Sequence, residues 1–295
     1  MAELPLFLVI GAGKSGTTSL HEYLRQHPKI SLPRQKETHF FICDKASIPS
    51  PENYKGRVLE DTIDTLDEYL NDFEVKPNVE FYGEVCPTYL FYPNAPMNIY
   101  KYVPYVKIIC ILRNPVDRFY SNVNYWYRGN DSFDFDKIVS SVITKTADQH
   151  INRFLEIGYY FKLLTRYYEI FPSENIKILL FEDLEKKPMK LMNEIMLFIG
   201  LPEYPFYLGE KFNTSGKMSF KIIYNLIRSL RIAKFFRRFL PARTYQKVRD
   251  YSERFFIKRV DPISPLNRKA LQEIYREDIV NLQSLIQRDL SNWLI

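Results

Sequence analysis

Residues 7–19, FLVIGAGKSGTTS, constrain this chain more than any other stretch. Four apolar residues, Phe7 to Ile10, run into a loop holding three glycines, Lys14 and three hydroxyl residues. Leu20, Tyr23 and Leu24 then follow at helical spacing. A strand that ends in such a loop and opens a helix aims several backbone N–H groups at one point. With a lysine beside them, that point is an anion site, and phosphate is the first candidate.

Spacing separates the phosphate chemistries. Gly11, Gly13 and Gly16 spell G-x-G-x-x-G, the dinucleotide fingerprint. That fingerprint also needs an acid about 20 residues on to hold a ribose. The corresponding region is ISLPRQKE, where two basic residues and a proline precede Glu37. The ATP loop G-x-x-x-x-G-K-[ST] would place its leading glycine at Leu8, inside the strand. A third reading takes the loop as K-S-G-T-T. Lys14 supplies a point charge, Ser15, Thr17 and Thr18 supply donors, and Gly16 permits close backbone approach. A tight turn without a ligand would leave the gathered lysine and hydroxyls unexplained.

The remaining pattern fits an α/β architecture. Strand-like runs fall at 7–10, 30–32, 81–85, 106–112 and 176–180. Helical patterns fall at 17–26, 61–73, 114–126, 148–171 and 189–199, and through most of the C-terminal third. Asn114 and Pro115 suit a helix cap and first turn. Strands alternating with helices predict a central parallel sheet flanked by helices, doubly wound, with a helical C-terminal region. The 295 residues are read as one domain. Hydrophobic residues make up 46 % of the chain, which excludes general disorder. The net charge of +6 favours an anionic ligand. Cys43, Cys86 and Cys110 form no disulfide or metal spacing, so a reduced, cytoplasmic protein without a metal site is expected. No apolar run approaches the length of a membrane span.

A second anchor lies about 100 residues downstream. The run VKIICIL delivers Arg113 to the carboxyl end of a strand, and Ser121 follows two turns into the next helix. Ligands of open α/β sheets bind outside such strand ends. The K-S-G-T-T loop resembles the 5′-phosphosulfate loop of the sulfotransferases that use 3′-phosphoadenosine 5′-phosphosulfate (PAPS). The segment KIICILRNPVDRFYSNVNYW resembles that family's 3′-phosphate motif, and IKILLFEDLEKKP and DIVNLQSLIQRDLSNWLI resemble later parts of its bacterial and Golgi heparan-type members. The resemblance implies a sulfotransferase fold related to the P-loop nucleoside triphosphatases. It implies that Lys14, Ser15, Gly16, Thr17 and Thr18 hold the 5′ end of PAPS, and that Arg113 and Ser121 hold its 3′-phosphate. Adenosine 3′,5′-bisphosphate (PAP) would be the product. Glu182 and Asp183 read as structural.

The segment Lys36-Glu37-Thr38-His39-Phe40-Phe41 supplies the acid–base candidates. If it is extended, Glu37 and His39 share a face. It resembles the K-E-x-H-F-F stretch of the heparan-type enzymes, whose glutamate is the base, so Glu37 is placed before His39. On chemistry alone either residue serves, since a free histidine titrates nearer neutrality. A structural role is also open to both: Glu37 as an ion-pair partner of Lys36 or Arg34, and His39 as a core residue. The sequence departs from the family at E-K-[ST]-P-x-Y. Glu84-Val85-Cys86-Pro87-Thr88-Tyr89 has valine in place of an active-site lysine, and Glu84 is expected to face the acceptor.

From Lys217 to Arg259 there are 13 lysines or arginines and two acids. Three readings stand: a lid with Lys217 closing on the 3′-phosphate, a peripheral membrane helix, or a solvated face packed on the core. No nucleic-acid module is visible. The expected function is sulfuryl transfer from PAPS to a hydroxyl or amine of a small-molecule, natural-product or saccharide acceptor, and the resemblance points to a bacterial enzyme. The alternatives are a nucleotide binder without transfer activity, which would lack a base, and a P-loop-like kinase. A kinase would need a magnesium-binding aspartate where Arg113 stands.

Overall fold

The computed structural model describes residues 3–42, 62–127, 133–208 and 262–295, with the backbone alone of two short strands, 217–218 and 257–258. Five strands build the main sheet: β1 (Phe7–Gly11), β2 (Ile30–Ser31), β3 (Phe81–Val85), β4 (Lys107–Leu112) and β5 (Ile176–Leu180). Their order is β2-β3-β1-β4-β5, and every neighbouring pair is parallel. From β1 the chain crosses to one side of the sheet to make β2 and β3, then returns to the other side for β4. The carboxyl ends of β1 and β4 therefore meet at a topological switch point, where open α/β sheets bind ligands.

The alternation of side chains along each strand explains why both sheet faces are covered. Phe7 and Val9 of β1 and Ile109 and Ile111 of β4 pack against α1 (Thr17–Leu24) and the later helix Pro188–Ile199. Leu8, Ile10, Ile108, Cys110 and Leu112 enter the larger core on the opposite face. There they meet α2 (Leu66–Asn71), α3 (Ala95–Tyr102), α4 (Pro115–Tyr127), α5 (Phe135–Ile143), α6 (Gln149–Glu156) and α7 (Tyr160–Tyr168). After β5 come α8 (Phe181–Lys186) and α9 (Pro188–Ile199), and near the C-terminus α10 (Pro265–Ile286). Gly83 makes one close approach possible. A Cβ there would lie 2.1 Å from Cζ of Phe7, its register partner on β1.

The expected parallel sheet and flanking helices are present. Several boundaries differ for local reasons. Thr65 caps α2 by accepting the Glu68 N–H, so that helix starts later than the pattern at 61–73 suggests. The helical pattern at 148–171 divides into α6, capped by Asp148, and α7, whose opening N–H groups at Phe161 and Lys162 donate to Asp278 of α10. Helices α3 and α5 were not expected. Asp134 caps α5 by accepting the N–H groups of Asp136 and Lys137. The short strands β6 (Lys217–Met218) and β7 (Ile257–Lys258) pair antiparallel. The Lys217 side chain, residues 44–60 and the rest of the basic segment 217–259 lie outside the described residues.

Candidate active site

Three neighbouring strand ends bring the candidate residues to one edge of the sheet. β1 ends in the glycine loop, β4 ends in Arg113, and β3 ends against the segment carrying Glu37 and His39. The loop is built for close approach. Ser15 N–H donates to Ala12 O at 3.2 Å, and Lys14 has a left-handed backbone, φ 70°. Gly16 caps α1 at φ 93°, and a Cβ there would stand 2.8 Å from Leu184 Cδ2. Glycine therefore answers both a conformational and a steric need. The first N–H groups of α1 follow directly, in the orientation that favours an anion.

The loop residues do not all present side chains. Ser15 is completely buried and Thr17 nearly so, whereas Lys14, Gly16 and Thr18 are partly exposed. Lys14 Nζ lies 4.1 Å from the ring centroid of Tyr125 on α4, a cation–π contact.

Asn114 Oδ1 accepts the Val116 N–H at 3.0 Å and starts α4, as the Asn-Pro pair predicts. Arg113 sits just before that cap. Its Nη1 donates to Lys14 O at 3.4 Å, and its guanidinium lies 4.8 Å from the Phe181 ring. Tyr160 OH donates to Arg113 O at 2.9 Å and pins the main chain there. Asp117, the conceivable ion-pair partner for Arg113, instead binds Arg268 at 2.6 Å. Ser121 is buried on α4, four residues before Tyr125 and so on the same helix face. Arg118, also completely buried, donates to Phe154 O and ties α4 to α6. Glu182 accepts the Trp293 indole N–H at 3.0 Å and Asp183 pairs with Arg288 at 2.9 Å, both fastening the C-terminus to α8.

The segment after β2 is not extended. Glu37 and His39 both have left-handed backbones, φ 66° and 60°, with fully buried Thr38 between them. The expectation of one shared strand face is corrected: the segment is a turn. Lys36 Nζ donates to Glu37 Oε1 at 2.5 Å in a partly exposed pair. His39 is buried, and its Nε2 is 3.1 Å from Thr88 Oγ1 in the loop after β3. That loop is locked to β1 by Cys86 N–H on Val9 O and Leu90 N–H on Ile10 O. Glu37 and His39 therefore stand over the carboxyl end of β3, next to β1.

Glu84 does not reach an acceptor. It is 1 % exposed and accepts Thr38 N–H at 3.1 Å, Thr38 Oγ1 at 2.6 Å, Tyr69 OH at 2.9 Å and Tyr89 OH at 3.0 Å. Burial pushes its carboxyl up to about 7, although those bonds favour the ionised form. Val85, where the resemblance places a lysine, is buried on the other sheet face with Phe7 and Val9. Among the described residues no cluster of histidine, cysteine or acids has metal-site geometry, and no helix is long and apolar enough to cross a membrane.

The contacts of Tyr125 and Tyr160 escape a linear reading. Tyr125 had a signal in its spacing from Ser121; Tyr160 lies 47 residues from the carbonyl it holds.

The model of the sulfotransferase domain family matches residues 4–218. A bifunctional heparan sulfate N-deacetylase/N-sulfotransferase 1 of Caenorhabditis briggsae is 28 % identical over 235 residues, 75 % of this chain and 25 % of that protein. The human heparan sulfate N-deacetylase/N-sulfotransferase 3 is 31 % identical over 221 residues, 69 % of this chain and 23 % of that protein. The chain thus spans about a quarter of the length of these curated relatives. The crystal structure of a sulfotransferase from Alicyclobacillus acidocaldarius aligns with a TM-score of 0.68 at 25 % identity, covering 99 % of both chains. These matches do not favour the kinase or the non-catalytic binder. With Lys14, Arg113 and Ser121 all inside the matched region, the chain belongs to the sulfotransferase domain family, whose reaction is sulfuryl transfer.

Proposed function

We propose that this chain moves a sulfuryl group from PAPS to a hydroxyl or amine of a small-molecule, natural-product or saccharide acceptor by in-line displacement, and that residues 1–295 act as one domain. The observation that carries the reading is the meeting of two cation-bearing strand ends, with Arg113 Nη1 3.4 Å from Lys14 O. A nucleotide with phosphates at both 5′ and 3′ positions matches two such anchors. The donor set suits it: a point charge and helix N-terminus on one side, a guanidinium fork and hydroxyl on the other.

In this reading PAPS is a substrate that brings the activated sulfuryl group. Lys14, Ser15, Gly16, Thr17 and Thr18 hold its 5′ end. Arg113 and Ser121 hold its 3′-phosphate, and Lys217 is assigned to the same phosphate. The acceptor oxygen or nitrogen forms a bond to sulfur while the sulfur–oxygen bond to the 5′-phosphate breaks. PAP departs with the electron pair of that bond, and Lys14 neutralises the charge that grows there. Glu37 takes the acceptor proton, with His39 as the second candidate; Lys36 Nζ, donating to Glu37 Oε1 at 2.5 Å, fixes the orientation of that carboxylate. The chain's positioning of both reactants supplies much of the rate.

The N-sulfotransferase relatives favour a saccharide amine among the acceptors. A reducing, cytoplasmic setting belongs to the same proposal and rests on Cys86 and Cys110, both buried thiols outside any disulfide. A peripheral membrane contact through 217–259 predicts co-sedimentation with anionic vesicles that salt abolishes. The central test is calorimetry with PAP against ADP. The reading expects PAP to bind far more tightly, and equal affinities would sink it.

A further inference from the structure

We propose that Glu84 is a positioning residue for the candidate base, holding the Thr38 turn that presents Glu37 and His39 to the sheet edge. The inference rests on the reading of Glu37 given above.

The geometry is unusual for a carboxylate. Glu84 lies inside the fold, and its hydrogen-bond partners among the described residues are all neutral: Thr38, Tyr69 and Tyr89. The titratable groups around it are Tyr69 on α2, Tyr89 and Cys86 in the loop after β3, with Glu37 beyond Cys86. Burial pushes Glu84 up to about 7, so the fold bears a cost for keeping a carboxyl there. A buried acid retained without a cation is explained by what it holds.

What it holds is a turn with two left-handed residues in three. Such residues persist only when their surroundings over-determine them, and they gather at functional sites. Oε1 of Glu84 accepts both donors of Thr38, main chain and hydroxyl, at 3.1 and 2.6 Å. The same hydroxyl accepts the Phe40 N–H at 3.2 Å, and Tyr89 OH accepts the Phe41 N–H at 3.4 Å. One carboxyl thus fixes the residue between Glu37 and His39 and, through its partners, the two residues after them. Tyr69 and Tyr89 hold the carboxyl itself to α2 and to the loop that binds His39. Arg113 and Lys14 lie just after β4 and β1 and make none of these bonds.

That separation defines the test. Purified full-length Thr38→Val keeps the buried volume and removes one donor. Its kcat is expected to fall about tenfold or more, since a small misplacement of a catalytic group is costly. Its PAP affinity should stay within about twofold of wild type, because the network spares the nucleotide anchors. Glu84→Gln retains a carbonyl oxygen for Thr38 and amide donors for the two tyrosine oxygens, so it should keep kcat within about threefold. Glu84→Leu should lose about 100-fold or more. If Glu84→Leu fails to fold, Thr38→Val alone decides. Wild-type kcat in Thr38→Val, or PAP affinity lost in step with kcat, would overturn the proposal. Glu37→Gln is measured in parallel. Full turnover there refutes the base assignment itself, whereas an inactive Glu37→Gln beside a fully active Thr38→Val refutes only the positioning role.

Discussion

Replacing Arg113 by glutamine tests the assignment of the second anchor. Among the described residues the side chain makes two contacts: a long hydrogen bond to Lys14 O at 3.4 Å and a cation–π contact with Phe181 at 4.8 Å. Losing these costs about 0.5–1 kcal/mol at a partly exposed site, which lowers Tm by a few degrees at most in a chain of this size. The proposed nucleotide contact is worth more. A guanidinium fork on a phosphate makes two charge-assisted hydrogen bonds, each about 1.5–3 kcal/mol when buried. Arg113 is only partly buried, so about 2–3 kcal/mol is a fair total. That weakens PAP binding about 30- to 150-fold. Adenosine 5′-phosphate lacks the group in question, and its affinity should change less than about threefold. Calorimetry with both nucleotides on wild type and Arg113→Gln measures the difference directly. If the variant binds PAP as wild type does, or loses both nucleotides equally, Arg113 does not read the 3′-phosphate and the two-anchor argument fails.

Lys14→Ala should lower turnover by about 100-fold or more under saturating substrates while acceptor KM moves little, since the charge it meets grows only as PAP leaves; steady-state kinetics with varied acceptor decides this. Gly16→Ala should destabilise the fold by about 1–3 kcal/mol in urea titration, because the residue has φ 93° and the new methyl would press on Leu184. The Glu84 carboxyl gives stability a pH dependence. Its folded-state value, about 7, exceeds the usual 4.5, so the folded protein holds this proton more tightly than the unfolded chain. The associated stability is full below about pH 4.5 and is lost as pH rises through 7, by up to about 3 kcal/mol. Asp278, raised to about 6 mainly by burial, acts in the same direction. The measurement is therefore the difference between wild type and Glu84→Gln in urea at pH 5 and pH 8. A difference that stays flat across that range contradicts the sign.

Local features made much of this fold legible before any coordinates. The alternation of Phe7, Val9 against Leu8, Ile10, and the apolar run ending in Leu112, contain their own burial pattern, since a parallel strand is covered on both faces. The Asn114-Pro115 pair marks a helix start through a bond two residues long, Asn114 Oδ1 to Val116 N–H. The proposed nucleotide anchors are legible for the same reason, because each is one strand, one loop and one helix. Helix α5 carried its signal too, in Asp134 before an amphipathic run, and was obscured by its polar surroundings. The candidate base is a different kind of object. Nothing between Lys36 and Phe41 states that the chain turns left-handed twice. The turn is held by Glu84, 46 residues away in sequence and buried where an acceptor-facing acid was expected. Glu84 lies on β3, between β1 and β2, and its partner Thr38 lies on the segment that follows β2 at the sheet edge. The anchors proposed for the leaving nucleotide are thus local, whereas the proposed base is placed by tertiary pairing. A change at Tyr69 of α2, which donates to Glu84, should therefore alter acceptor turnover while leaving nucleotide binding intact.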